Sequence, residues 1–174
     1  SNIHDSLLLF SNRDSLLKSV TCCPETVKLL QNRRVLILTG HFGCWELLGC
    51  WLAKTCNGLT VVTGTIHNKS VDELVNKQRK NSGITAVRRG GDLRPIVKAL
   101  KLGKAVAVLM DQNNPVDNLN IPFFGKDAPT SAGFAKLALK YKVPILPVSI
   151  FRNDSGFEVI AGDLIEINSY YETN

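Results

Sequence analysis

Residues Arg34 to Glu46 read R-V-L-I-L-T-G-H-F-G-C-W-E. Val35 to Thr39 is an apolar, β-branched run without polar alternation, and Gly40 stops it. Such a run predicts a strand buried on both faces. Cys44 to Lys54 then carries Leu47, Leu48, Trp51 and Leu52 at helical spacing and ends near Asn57-Gly58. That pattern predicts a helix with a glycine stop. A buried strand followed at once by a helix is the repeating unit of a parallel sheet. His41 therefore falls at the carboxyl end of a strand, the edge where open α/β sheets bind ligands.

The alternation continues outward. Leu59 to Thr63 predicts a second strand. Ser70 to Ser82 predicts a helix with Ser70 as N-cap, Glu73 three residues on and Gly83 at the close. Ile84 to Val87 reads as a short strand. Asp92 is the expected cap of a helix bearing Leu93, Ile96, Val97 and Leu100, with Pro95 in its first turn and Gly103 after it. Ala105 to Met110 is another buried strand. Asp111 to Pro129 is expected to be a long loop. Thr130 or Ser131 should cap a helix through Ala135, Leu137, Ala138 and Leu139. Pro144 to Phe151 and Gly156 to Ile160 read as strands joined through the turn Asn153-Asp154-Ser155-Gly156.

The expected fold is thus a single α/β domain over residues 34–174, with a central, largely parallel or mixed sheet flanked by helices. Residues 1–33 form an amphipathic, helical N-terminal segment in this reading. Its Leu7, Leu8, Leu9 and Phe10 are a sticky patch, either core or membrane anchor. Ser1-Asn2 reads as a tag remnant, and the natural chain is expected to be longer at either end.

At 174 residues the chain has the length of one domain with a real core. Its 44% hydrophobic and 21% charged residues are ordinary globular usage, which excludes a disordered chain. No signal peptide and no run of about 18 apolar residues is present. The five cysteines lack CxxC pairing and suit a reducing compartment. A net charge of +6 is either an ordinary basic surface or an attraction to anions such as lipid headgroups or an acidic carrier protein. No nucleic-acid motif appears, so nucleic acid is not an expected partner.

Three strand ends are candidate site positions: Gly40-His41, Thr63 to His67, and Asp111-Gln112. His41 is a candidate acid–base residue, and Glu46 five positions on is a candidate partner to fix its tautomer. Five helical positions turn roughly 140°, so the two meet only if His41 lies in the turn and Glu46 folds back. The bland alternative is that His41 caps the helix and Glu46 is solvated. Cys44 is either a nucleophile or a small buried residue. Zinc on His41, Cys44 and Glu46 lacks a fourth ligand apart from His67, and G-H-F-G lacks the lysine of a phosphate loop. Asp111 is either a ligand-orienting carboxylate or a cap. Phe123 and Phe124 either plug the core or line an acyl tunnel. Arg79, with Lys77 and Lys80, is a basic helix run that is ordinarily a solvated face.

The blocks H-F-G-C-W-E, D-Q-N, I-P-F-F-G, T-S-A-G-F-A-K-L-A and V-P-I-L-P-V-S-I-F-R occur in this order between Val35 and Arg152. Together they resemble the bacterial lipid A biosynthesis acyltransferases, the lauroyl/myristoyl branch of the lysophospholipid acyltransferase superfamily. The resemblance implies a glycerolipid acyltransferase-like fold. It also implies transfer of a fatty acyl group from acyl carrier protein or acyl-CoA to a hydroxyl of a lipid A precursor or related membrane lipid. No cofactor and no metal are implied. The membrane surface is an implied partner, at the cytoplasmic face of the bacterial inner membrane. On this resemblance His41 is the general base and Glu46 orients and charge-balances it, so their side chains should meet. Arg79 would bind acceptor phosphate or phosphopantetheine. Asp111 matches the aspartate ending the next central strand, and Phe123, Phe124 and Gly125 match the loop beside the acyl site. Thr130, Gly133 and Arg152 match later blocks. The loop Asn113 to Asn120 departs from the pattern by lacking a glycine, which leaves the acceptor open. The competing expectations are a catalytically dead lipid- or acyl-carrier-binding module and a hydrolase built on Cys44.

Overall fold

The computed structural model describes residues 9, 12–64, 66–112 and 118–167. Residues 12–18 are helical (α1) and lead into β1 (Val20–Cys22) and α2 (Pro24–Asn32). There follow β2 (Leu36–Thr39), α3 (Trp45–Thr55), β3 (Leu59–Thr63), α4 (Lys69–Asn81) and β4 (Ile84–Arg88). Then come α5 (Arg94–Lys101), β5 (Ala105–Leu109), β6 (Asn118–Phe123) and β7 (Lys126–Ser131). The order ends with α6 (Gly133–Tyr141), β8 (Ile145–Asn153) and β9 (Gly156–Ala161).

Seven strands form one sheet in the order β1-β9-β8-β2-β5-β3-β4. Strands β8, β2, β5, β3 and β4 run parallel, while β9 returns antiparallel to β8. The sheet is therefore mixed with a parallel centre, as the apolar runs predict. The β8–β9 hairpin turns at Asn153 and Gly156, as its turn residues indicate.

Each central strand buries both faces. Val35 and Ile37 pack with α3 residues Leu47, Leu48 and Leu52, together with Leu30 of α2. Leu36 and Val106 face the opposite side and pack with Ile96 and Leu100 of α5 and Phe134 and Ala138 of α6. Helices thus cover both faces, and burial of these two apolar layers is the dominant favourable term in folding. Leu9 is buried in the α3-side layer, whereas Leu7, Leu8 and Phe10 lie outside the described residues.

Several local expectations are corrected. Strand β1 lies inside the stretch expected to be helical and pairs in parallel with β9. The N-cap of α4 is Asn68, not Ser70: its side-chain oxygen accepts the Val71 N–H at 3.2 Å. Asp92 lies one residue before the N-cap Leu93 of α5, yet its carboxylate accepts the Arg94 N–H at 2.9 Å. The α6 N-cap is Ala132 rather than Thr130 or Ser131. The expected long loop after Asp111 contains the β6–β7 hairpin.

Candidate active site

The register between β2 and β5 builds the site. Leu36 pairs with Val106 and Thr39 with Leu109, an offset that continues past the strand ends and brings His41 level with Asp111. Gly40 is buried, so the chain leaves the sheet without a side chain at that step. Gly43 then turns at φ +62, and a Cβ there would sit 2.0 Å from the Ile150 carbonyl oxygen. Only glycine fits both demands. The turn holds His41 at the sheet edge, just before α3 begins.

Asp111 grips His41 twice. Its Oδ2 accepts the His41 backbone N–H at 2.6 Å, and its Oδ1 lies 2.8 Å from Nδ1. Partial burial works against the Asp111 charge, but the hydrogen bonds from the His41 ring and backbone outweigh it and hold the carboxyl below its ordinary value. An ionised carboxylate only accepts, so Nδ1 carries the hydrogen and Nε2 of the neutral ring bears the lone pair. Among the described residues Nε2 has no hydrogen-bond partner, and the side chain is 31% exposed. The Trp45 ring stands edge-on to the imidazole, with centroids 5.3 Å apart. The result is an oriented imidazole with its basic nitrogen available.

Glu46 takes a different partner. Arg79 of α4 donates from Nη2 to Oε1 at 2.5 Å and from Nε to Oε2 at 3.3 Å. Both side chains are mostly buried. This two-point pairing suits the planar guanidinium. The expected meeting of His41 with Glu46 does not occur: each is hydrogen-bonded to a third residue. His41 lies in the turn before α3, where the β2–β5 register sets Asp111 against it, while Glu46 in the first turn of α3 is taken by Arg79 of α4. Neither bland alternative holds, since α3 has Cys44 as its N-cap and Glu46 is paired. Arg79 is turned inward, not on a solvated face.

Two cavities adjoin this edge. A small one of about 50 Å³ lies between α3, β3 and β5, lined by Trp45, Glu46 and Arg79 among others. A larger cleft of about 360 Å³ opens on the α5–α6 face. Val62, Ile96, Val108, Met110, Phe134 and Leu137 make its apolar wall. Arg88, Arg89, Lys136 and Lys140 supply positive charge around it, and Gln112 and Gly133 also line it. Its volume suits a small-molecule site. Of the three strand ends marked by sequence, Asp111-Gln112 reaches this cleft through Gln112, and R-R-G-G at 88–91, at the end of β4, forms a fourth, unmarked one.

The remaining site candidates lie apart. Phe123 and Phe124 are no core plug and line neither of the two cavities described above: they project from the β6–β7 turn, 65% and 92% exposed, with Gly125 beside them. Thr130 lies in β7 and donates its hydroxyl to the Ala128 carbonyl at 3.1 Å. The Arg152 guanidinium lies over the Phe157 ring, 5.0 Å from its centroid. His67 is exposed near the start of α4. Cys44 is 4% exposed and packs in the core.

The sequence pattern of the bacterial lipid A biosynthesis acyltransferases matches residues 24–168. The chain is also similar to a phosphatidylinositol mannoside acyltransferase of Mycolicibacterium smegmatis, 22% identical over 129 residues, which covers 72% of this chain and 42% of that protein. A protein of the same description from Mycobacterium tuberculosis is 22% identical over 121 residues, covering 67% of this chain and 38% of the relative. The chain therefore spans about two-fifths of the length of these curated relatives. With a family pattern matched along most of its length, and with the α/β sheet and strand-edge histidine described above, the chain belongs to the bacterial lipid A biosynthesis acyltransferase family.

Proposed function

We propose that the chain catalyses fatty-acyl transfer from an acyl thioester, on acyl carrier protein or coenzyme A, to a hydroxyl of a lipid A precursor or related membrane lipid. The observation that carries this reading is the His41–Asp111 pair, which leaves Nε2 without a partner among the described residues, at the same sheet edge as an apolar cleft with positive charge. His41 Nε2 takes the proton of the acceptor hydroxyl as its oxygen attacks the thioester carbonyl. A tetrahedral oxyanion forms. Its collapse breaks the C–S bond, and the leaving thiolate takes the proton back from the imidazolium. The products are the acylated lipid and the free thiol, with the histidine neutral again.

Asp111 is the orienting carboxylate in this mechanism, in place of Glu46. It sets the tautomer and balances the imidazolium charge. The Glu46–Arg79 pair locks α3 to α4 and so holds the helix that follows the catalytic turn. In the cleft Arg88 is already paired with Asp72 at 2.8 Å, so Arg89 is the arginine that suits an anionic group such as a phosphate on donor or acceptor, and the apolar wall suits an acyl chain.

Because the relatives are described as phosphatidylinositol mannoside acyltransferases, a mannosylated phosphoinositide is one acceptor to try, alongside lipid A precursors, ornithine lipids and glycolipids. The test is incubation with acyl carrier protein and CoA thioesters of several chain lengths and a total lipid extract, read by mass spectrometry. A lipid heavier by one esterified acyl group is the expected result. Release of free fatty acid alone would replace this reading with a hydrolase, and no consumption of thioester would leave a binding module.

A further inference from the structure

We propose that the β6–β7 hairpin is a wedge that seats the chain on an anionic lipid bilayer at headgroup depth. The proposal deepens the lipid-acceptor reading above and rests on it only for the identity of the surface. The ribbon has two unlike faces. Leu119, Ile121 and Phe123 alternate along β6 opposite Thr130, Ala128 and Lys126 of β7, so these six residues share one face. Asn118, Asn120 and Asp127 lie on the other. The three apolar residues are 56%, 45% and 65% exposed.

The turn extends the apolar face. Phe124 and Gly125 occupy it at φ 50 and φ 75, the left-handed geometry of a two-residue hairpin. Asn or Gly suits the first of these positions, and a bulky side chain there is unfavourable. Phe124 nevertheless occupies it, 92% exposed, with its ring edge-on to Phe123 at 4.6 Å. Aromatic rings in so exposed a patch mark an interaction surface.

Charge and continuity select lipid as the occupant. Lys126 lies on the apolar face next to the tip, and the chain carries a net charge of +6. Apolar tip with basic flank is the pattern of an interfacial anchor on anionic lipid. Strand β7 runs directly into Ser131 and Gly133, which line the large cleft. Phe42 and Phe151, each 46% exposed with rings 6.1 Å apart, add apolar surface at the same carboxyl edge of the sheet. A six-residue strand spans roughly 20 Å, too short for a hydrocarbon core of about 30 Å, and its open backbone edges would be costly there. The wedge therefore reaches the interface, with the phenylalanines deepest.

The test is co-sedimentation of the chain with vesicles of equal parts phosphatidylcholine and phosphatidylglycerol, and with phosphatidylcholine alone. Binding should favour the anionic vesicles and weaken at high salt. Phe123→Ser/Phe124→Ser should weaken it at least about tenfold. Leu102→Ser, which removes an exposed leucine at the opposite edge of the sheet, should not. In a Phe124→Trp variant the added fluorescence should shift to the blue on vesicle addition. Unaltered binding by the double serine variant, or an unmoved emission while the chain sediments, overturns the wedge. So does a wild-type chain that ignores vesicles, or a dimer in solution that the double variant dissolves, which would make the patch a contact between copies. His41→Ala should bind vesicles like the wild type, so loss of acyl transfer and loss of docking are read separately.

Discussion

In the proposed mechanism His41 is a base by arrangement rather than by type. Its ring is held through Nδ1 and its backbone through N–H by the same carboxylate, so rotation and tautomer are fixed together. Asp111→Asn keeps the shape but permits the wrong tautomer, and turnover should fall by about two orders of magnitude or more. The same pair ties stability to pH. Because the folded Asp111 carboxyl titrates below its ordinary value, its contribution is present above an unfolded value near pH 3.9 and is lost as pH falls through the folded value. Melting temperatures of wild type and Asp111→Asn should therefore differ at neutral pH and converge in strong acid. At Glu46, alanine leaves the mostly buried Arg79 guanidinium without its partner. Unfolding by urea should show a loss of about 1–3 kcal/mol, and Glu46→Gln a smaller one.

At the scale of elements, the turn between β2 and α3 is the most constrained piece of the site. Gly43→Ala forces a Cβ onto the Ile150 carbonyl at a positive φ. A cost of more than about 2 kcal/mol is expected, with His41 displaced from Asp111. The central strands were legible because fully buried parallel strands carry long apolar runs, as Val35 to Thr39 and Ala105 to Leu109 do. The short edge strand β1 was not, since three residues with one exposed carry no period and its partner β9 is far along the chain. The β6–β7 hairpin was hidden by Pro122 within a strand and by phenylalanine at a turn position that favours asparagine or glycine. The Asp111 contact needed the β2–β5 register, which a helix-spacing argument from His41 to Glu46 does not contain.

Across the whole molecule, the parallel strands direct their carboxyl ends to one edge, where the oriented histidine, the basic cleft and the exposed pair Phe42–Phe151 lie. The thiols report on the core behind that edge. Cys44 and Cys50 are buried, and burial pushes the Cys56 thiol up to about 11. At pH 8 a native thiol titration should find Cys23 reacting fast and these three slowly, against all five in denaturant. Acyl transfer should survive labelling of Cys23, whereas a mechanism through Cys44 predicts that alkylation of Cys44 parallels inactivation. The proposed chemistry turns on proton transfer by the His41–Asp111 pair. The most direct measurement is kcat/KM for transfer from an acyl thioester to the accepted lipid in wild type and His41→Ala, with folding checked by circular dichroism. A fall of at least about a hundredfold with an unchanged spectrum is predicted. Turnover near the wild-type value in the folded variant would contradict it.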